Sequence, residues 1–153
     1  METYNYSDLK SLEERNGLYK KLLFQSPDLI FQFSISKKGT LRFPFMSKSV
    51  MTHFDLTHEE KGKDVYAVLK SKIYADDFQK FLESIQKAKT ALKDWSHEFR
   101  ALLPQKGLRW YNGFATVERD EYGDVHFFGK ITDVTHFKSQ ELKLKLSEER
   151  FQF

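Results

Sequence analysis

The chain contains no cysteine, which excludes a disulfide framework, a thiolate nucleophile and a Cys-ligated zinc or iron–sulfur centre. Its seven glycines never gather into a phosphate-binding loop, and no serine sits in a nucleophile elbow. No apolar run approaches the roughly 20 residues of a membrane span, and the polar N-terminus lacks the pattern of a secretory signal. The five histidines, His53, His58, His97, His126 and His136, show no metal-ligand spacing, and no acid is placed to make one a general base. The chain by itself is therefore not expected to be an enzyme, to hold a metal or to contact a membrane.

What remains is a globular composition. With 153 residues, 40% of them hydrophobic, and a formal charge of +3, the chain has the length for one domain with a proper core. Its 25 basic residues are dispersed rather than gathered in a block, so nucleic acid is not an expected partner. The absence of cysteine fits a cytoplasmic setting.

Hydrophobic periodicity sets out the elements. Leu9, Leu12, Tyr19, Leu22 and Leu23 recur near helical spacing until Ser26-Pro27 stops them, which predicts an amphipathic leading helix over 1–25. Leu29, Phe31, Phe33 and Ile35 alternate with Ile30, Gln32 and Ser34 as a first strand. Lys37-Lys38-Gly39 turns the chain, and Leu41, Phe43 and Phe45 continue the alternation on the way back. Pro44 cannot donate to a ladder, so this second strand is expected to present it at an unpaired edge. From Lys48 to Ala75 the apolar clusters are short, and Thr57 with Glu60 has capping-box spacing, which predicts short helices. Asp76 is expected to cap a longer helix whose Phe78, Phe81, Leu82, Ile85 and Ala88 share one face. Trp95, His97, Phe99, Ala101 and Leu103 form a third strand ended by Pro104.

The last third runs strand, turn, strand and helix. Leu108, Trp110, Phe114 and Thr116 lie on one parity and Tyr111, Ala115 and Val117 on the other, so both faces of this strand are expected to be covered. Arg119-Asp120-Glu121-Tyr122-Gly123 reverses the chain, with Gly123 supplying the positive φ of a hairpin turn. Val125, Phe127, Gly129 and Ile131 then alternate with His126, Lys130 and Thr132, with Phe128 as the exception. Asp133-Val134-Thr135 hands over to a helix reaching Phe153, and Asp133 and Thr135 are both residue types that accept from the free amides of a helix start. The order argues an α+β fold, a five-stranded antiparallel sheet with helices on one face.

These residues carry a family resemblance. The last hairpin, closing on Asp133-Val134-Thr135 and running into a helix, resembles the end of a PAS domain, whose Asp-(Ala/Ile/Val)-Thr motif leads into a signalling helix. Trp95 to Arg100 with Gly107-Leu108-Arg109-Trp110 is similar to the same family's C-terminal half. Leu41 to Ser47 looks like its second strand, and Tyr74-Ala75-Asp76-Asp77-Phe78 resembles its His-Pro-Asp-Asp helix start, departing at the first two positions. The resemblance covers 26–135, with 136–153 as an exit helix toward a following module. It implies a sensory or regulatory role in a bacterial-type signalling protein, foremost a two-component sensor histidine kinase and alternatively a diguanylate cyclase, with Asp133 and Thr135 relaying the signal. The string Leu9-Lys10, Glu13-Glu14-Arg15 returns as Leu144-Lys145, Glu148-Glu149-Arg150. The chain is therefore expected to be part of a longer protein with downstream PAS and kinase domains in cis.

In PAS domains that bind ligands, the site lies between the sheet and the helices. On the sheet, Phe31, Phe33, Phe43, Phe45, Phe99 and Phe127 would line it. Phe54, Phe78 and Phe81 would close it from the helices, and Tyr66 and His97 are the polar candidates. The alternative is a filled core without a guest, serving a dimerisation spacer. PAS domains that carry haem commonly ligate it from a histidine on the long helix, and those forming a flavin photoadduct need a cysteine; this chain has neither, so haem and covalent flavin are not expected. A homodimer through the terminal helices is expected.

Overall fold

A computed structural model describes residues 12–56 and 64–150. The elements run α1 Leu12–Phe24, β1 Leu29–Ile35, β2 Leu41–Met46, α2 Lys48–His53, α3 Val65–Lys72, α4 Ala75–Ala91, β3 Trp95–Leu103, β4 Gly107–Arg119, β5 Val125–Asp133 and α5 Thr135–Arg150. The strands form one antiparallel sheet in the order β2-β1-β5-β4-β3. Leu9 of the leading stripe, the Thr57 and Glu60 pair, and Phe151 to Phe153 lie outside the described residues.

Pro44 sits on edge strand β2, where Gln32 faces Phe45 and Ser34 faces Arg42. The extra residue on β2 makes a bulge at Phe43-Pro44, so the missing amide costs the ladder nothing. The opposite edge, β3, is partly covered: Ile73 bridges Ala101, and Tyr74 N–H donates to the Arg100 carbonyl at 2.9 Å. Gly123 in the β4–β5 hairpin has φ +88°, the left-handed conformation that side chains disfavour. Gly129 answers a different need, since a Cβ there would lie 1.9 Å from the Phe114 carbonyl oxygen of the neighbouring strand.

The core lies on the odd-parity face. Leu29, Phe31, Phe33, Phe99, Tyr111, Ala115 and Phe127 point inward, against Val50 of α2 and Phe78, Phe81, Ile85 and Ala88 of α4. Two expectations fail here. The even-parity face of β4 is largely open rather than covered, because α2, α3 and α4 all pack on the other side and the start of α5 reaches only Trp110. Leu108 and Phe114 are exposed, as is Leu102 of β3 at 54%. Asp76 does not cap α4. Its N-cap residue is Tyr74, which makes no side-chain cap bond, and Asp76 sits in the first turn, where its charge favours the positive end of the helix dipole. Asp77 holds the helix start instead: Oδ2 accepts from Arg100 N–H and Nε at 2.8 Å each, and Oδ1 from Nη2 at 2.6 Å. That bidentate clamp pulls the Asp77 carboxyl below its usual range.

Candidate functional site

Two features flank the sheet: a cavity on its helix-packed face and the joint into α5. The cavity measures about 480 Å³, and aromatic groups wall it from both ends of the sheet. On one side Phe43 packs against Phe31 and Phe33 at centroid distances of 6.3 and 5.1 Å, and Phe33 meets Phe127 edge-on at 5.7 Å. On the other, Phe81 stands against Phe99 at 4.9 Å and Trp95 at 5.9 Å. Phe45 and Phe54 complete the sequence-derived residues in this wall. Strand alternation and the long helix's face deliver these rings to one volume. The lining runs from buried Phe99 and Ala101 to exposed Phe24 and Pro44, so the cavity reaches the surface beside edge strand β2.

Three of the sequence-derived residues lie elsewhere. Tyr66 is one helical step off the inward stripe of α3, remains 41% exposed and packs edge-on against Phe78 at 5.5 Å. Phe78 is in the core but outside the lining described. His97 packs against Phe81 at 6.3 Å but is not among the described lining, and its partial burial lowers its pKa. The polar residue that does line the cavity is Lys72, which sequence reasoning missed. Its signal was present: Val65, Val68, Leu69 and Lys72 follow helical spacing, so the lysine occupies the next place on an apolar stripe.

The joint is tighter than capping alone. Asp133 Oδ1 accepts from Thr135 N–H at 2.9 Å and from the Thr135 hydroxyl at 2.6 Å. The Thr135 oxygen accepts from Trp110 N–H at 2.9 Å, and Val134 N–H donates to the Trp110 carbonyl at 2.8 Å. Thr135 therefore caps no amide of α5 in this arrangement; it ties the helix start to β4. One turn on, Lys138 pairs with Glu98 of β3 at 3.0 Å and lies over the Trp110 ring. The start of α5 is thereby anchored on the even-parity face, opposite the other sheet-packed helices.

Between cavity and joint stands Tyr111, fully buried on β4. Its ring packs on Phe54 and Phe99, both in the cavity wall, and its hydroxyl is hydrogen-bonded to His53 Nε2 at 2.9 Å. Burial raises the Tyr111 pKa far above that of an ordinary phenol. The same His53 nitrogen lies 3.5 Å from Asp133 Oδ2. Parity put Tyr111 on a covered face of its strand but pointed to no partner for it, and it did not point to His53.

The sequence placed no acid beside a histidine, and the structure corrects this. His126 Nε2–H donates to Asp120 Oδ2 at 2.8 Å while Nδ1 accepts from the Ser34 hydroxyl at 2.6 Å. The β4–β5 hairpin folds the turn residue Asp120 back over β5, a proximity that strand parity does not express. Ser34 is wholly buried, so no substrate reaches its hydroxyl, and the trio fastens β1 to the hairpin. Among the described residues no cluster of acids and histidines is set to hold a metal ion, and no helix is long and apolar enough to cross a membrane.

The chain belongs to the PAS fold family: the family model of that description matches residues 43–132, more than half of the chain. No curated protein matches it. Solved structures agree on the fold. A sensory box histidine kinase/response regulator from Burkholderia thailandensis is 18% identical with TM-score 0.59, covering 90% of this chain and 98% of that one. The N-terminal domain of a diguanylate cyclase with PAS/PAC sensor from Marinobacter aquaeolei is 16% identical with TM-score 0.57, covering 71% and 98%. An RNA-binding light-oxygen-voltage receptor is 14% identical with TM-score 0.68, covering 98% of this chain and 42% of that one.

Proposed function

We propose that the chain is a sensory module of a signal-transduction protein, in which a small ligand, or a redox or metabolic state that alters cavity packing, biases the strand-to-helix joint. The observation that carries this reading is the cavity, whose volume of about 480 Å³ falls in the range of roughly 300–1,000 Å³ typical of small-molecule sites. A ligand that displaces Phe54 or Phe99 moves the rings on which Tyr111 packs, and Tyr111 shares His53 with Asp133. Occupancy thereby shifts the population of joint geometries, and α5 carries the shift to an output region in cis. In this reading 1–25 is a leading helix, 26–135 the domain and 136–153 the exit. The output is a cytoplasmic two-component histidine kinase with a further PAS domain, or alternatively a diguanylate cyclase.

Native mass spectrometry of the purified chain tests this. A co-purifying small molecule, released on denaturation, is the expected result. Bare chain mass in every preparation would count against sensing through the cavity. It would leave a ligand-free dimerisation spacer, which the exposed Leu22 of α1 and Phe137 of α5 favour.

A further inference from the structure

The cavity wall is built of hydrocarbon, and the polar side chains in it are turned to partners within the protein. The sheet brings Phe33, Phe99 and Ala101 to the lining, and α4 brings Phe81 and Ile85. Trp95 directs its indole N–H to the Ser84 hydroxyl at 2.9 Å. The Lys72 ammonium donates to the Asp55 carbonyl at 3.2 Å, and Lys72 has a further interaction besides. Among the described lining residues there is no carboxylate. The rings of the wall meet edge to face: Phe33 and Phe127 at 70°, Phe81 and Phe99 at 65°, Phe81 and Trp95 at 89°.

From this lining we infer that the cavity selects an uncharged ligand, apolar over most of its surface, and turns away anions and cations alike. The inference rests on the cavity being a ligand site, as proposed above. A charge taken from water into apolar surroundings is tolerated only where it is paired and hydrogen-bonded. A cation entering here meets no carboxylate among the described lining residues, and an anion would have to draw Lys72 from partners it already holds. Apolar surface, by contrast, leaves water for Phe33, Phe99 and Ile85 with a gain that grows with the area buried. An aromatic guest suits the wall because it extends the edge-to-face contacts already present.

One ring system carrying three substituents tests the selection. 1-Naphthalenemethanol, 1-naphthoate and 1-naphthylmethylammonium are titrated into the full chain at about pH 7.5, where the last two are charged, and binding is followed by the NMR signals of methyl groups. The alcohol should bind one-to-one, shift the methyls of Ile85 and Ala101 in the lining, and leave those of Leu102 and Leu108 on the open face of the sheet unmoved. Both charged compounds should bind at least about tenfold more weakly. Either of them matching the alcohol at Ile85 and Ala101 would overturn the selection while the cavity reading stood. Shifts confined to Leu102 and Leu108 would place the alcohol on the open face and overturn it too. If none of the three binds, the cavity reading falls and takes this inference with it.

Discussion

His53 sits where three parts of the chain meet, and its protonation is set by all of them. Burial is the main cause of its lowered pKa. Lys106 and Arg109 push in the same direction, and Asp133 and Asp55 oppose them. The sign of the pH effect follows. The folded value lies below the 6.5 of an unperturbed histidine, so the unfolded chain takes up the proton first. The stability from a neutral His53 is present above about pH 6.5 and is lost as pH falls from there through the folded value. His97, lowered chiefly by burial, adds with the same sign. Urea denaturation from about pH 7.5 to about pH 5 should show a falling midpoint, and His53→Gln should flatten part of that fall. An unchanged pH slope in His53→Gln would refute the assignment.

The strand-to-helix joint behaves as an element in its own right. Asp133 and Thr135 were both expected to accept from helix amides; the structure divides the work, with Asp133 holding Thr135 and Thr135 holding Trp110 of β4. Replacing either by Ala should cost about 1 kcal/mol in urea unfolding. That loss leaves the domain folded, since single domains are stable by about 5–15 kcal/mol. Thr135→Ser should recover most of the loss and Thr135→Val should not, because only the hydroxyl can satisfy Trp110 N–H. In the signalling protein proposed above, Asp133→Ala or Thr135→Ala should leave ligand affinity intact while output stops responding to stimulus. Normal regulation in both variants would reduce the joint to a cap.

At the scale of the whole molecule, the described residues leave substantial apolar surface open. Leu18, Leu22 and Leu23 of α1 are exposed, with Leu22 at 60%, and on α5 Phe137 is 71% exposed and Leu144 is open as well. Leu102, Leu108, Phe114 and Phe128 add a patch on the even-parity face of the sheet. Apolar surface gathered in patches marks contact sites, which supports weak self-association. With one apolar position per heptad, Phe137 and Leu144 make a poor coiled coil by themselves, so α1 should contribute most. Sedimentation velocity over a concentration series should show a monomer–dimer equilibrium that weakens when the residues before Ser26 are deleted. Monomer throughout, or a dimer indifferent to that deletion, would contradict this.

Element type and order were legible in the sequence because they depend on local backbone geometry. Period-two alternation marked the strands, 3.6-residue periodicity marked α4, and Gly39 and Gly123 marked the hairpins by the positive φ that both adopt. Pro44 pointed to an edge strand because a missing amide is tolerated at an edge, where a bulge accommodates it here. Parity, however, says which residues share a face and not what covers it. Only the tertiary structure showed Leu108 and Phe114 open, and only the placement of α3 brought Lys72 rather than Tyr66 to the cavity. The contacts of His53 with Tyr111 and of Ser34 with His126 join residues 58 and 92 positions apart. No short-range pattern encodes such pairs. They arise when β5 inserts between β1 and β4, so the sheet order determined the chemistry of the joint and the sequence periodicity determined the strands that form it.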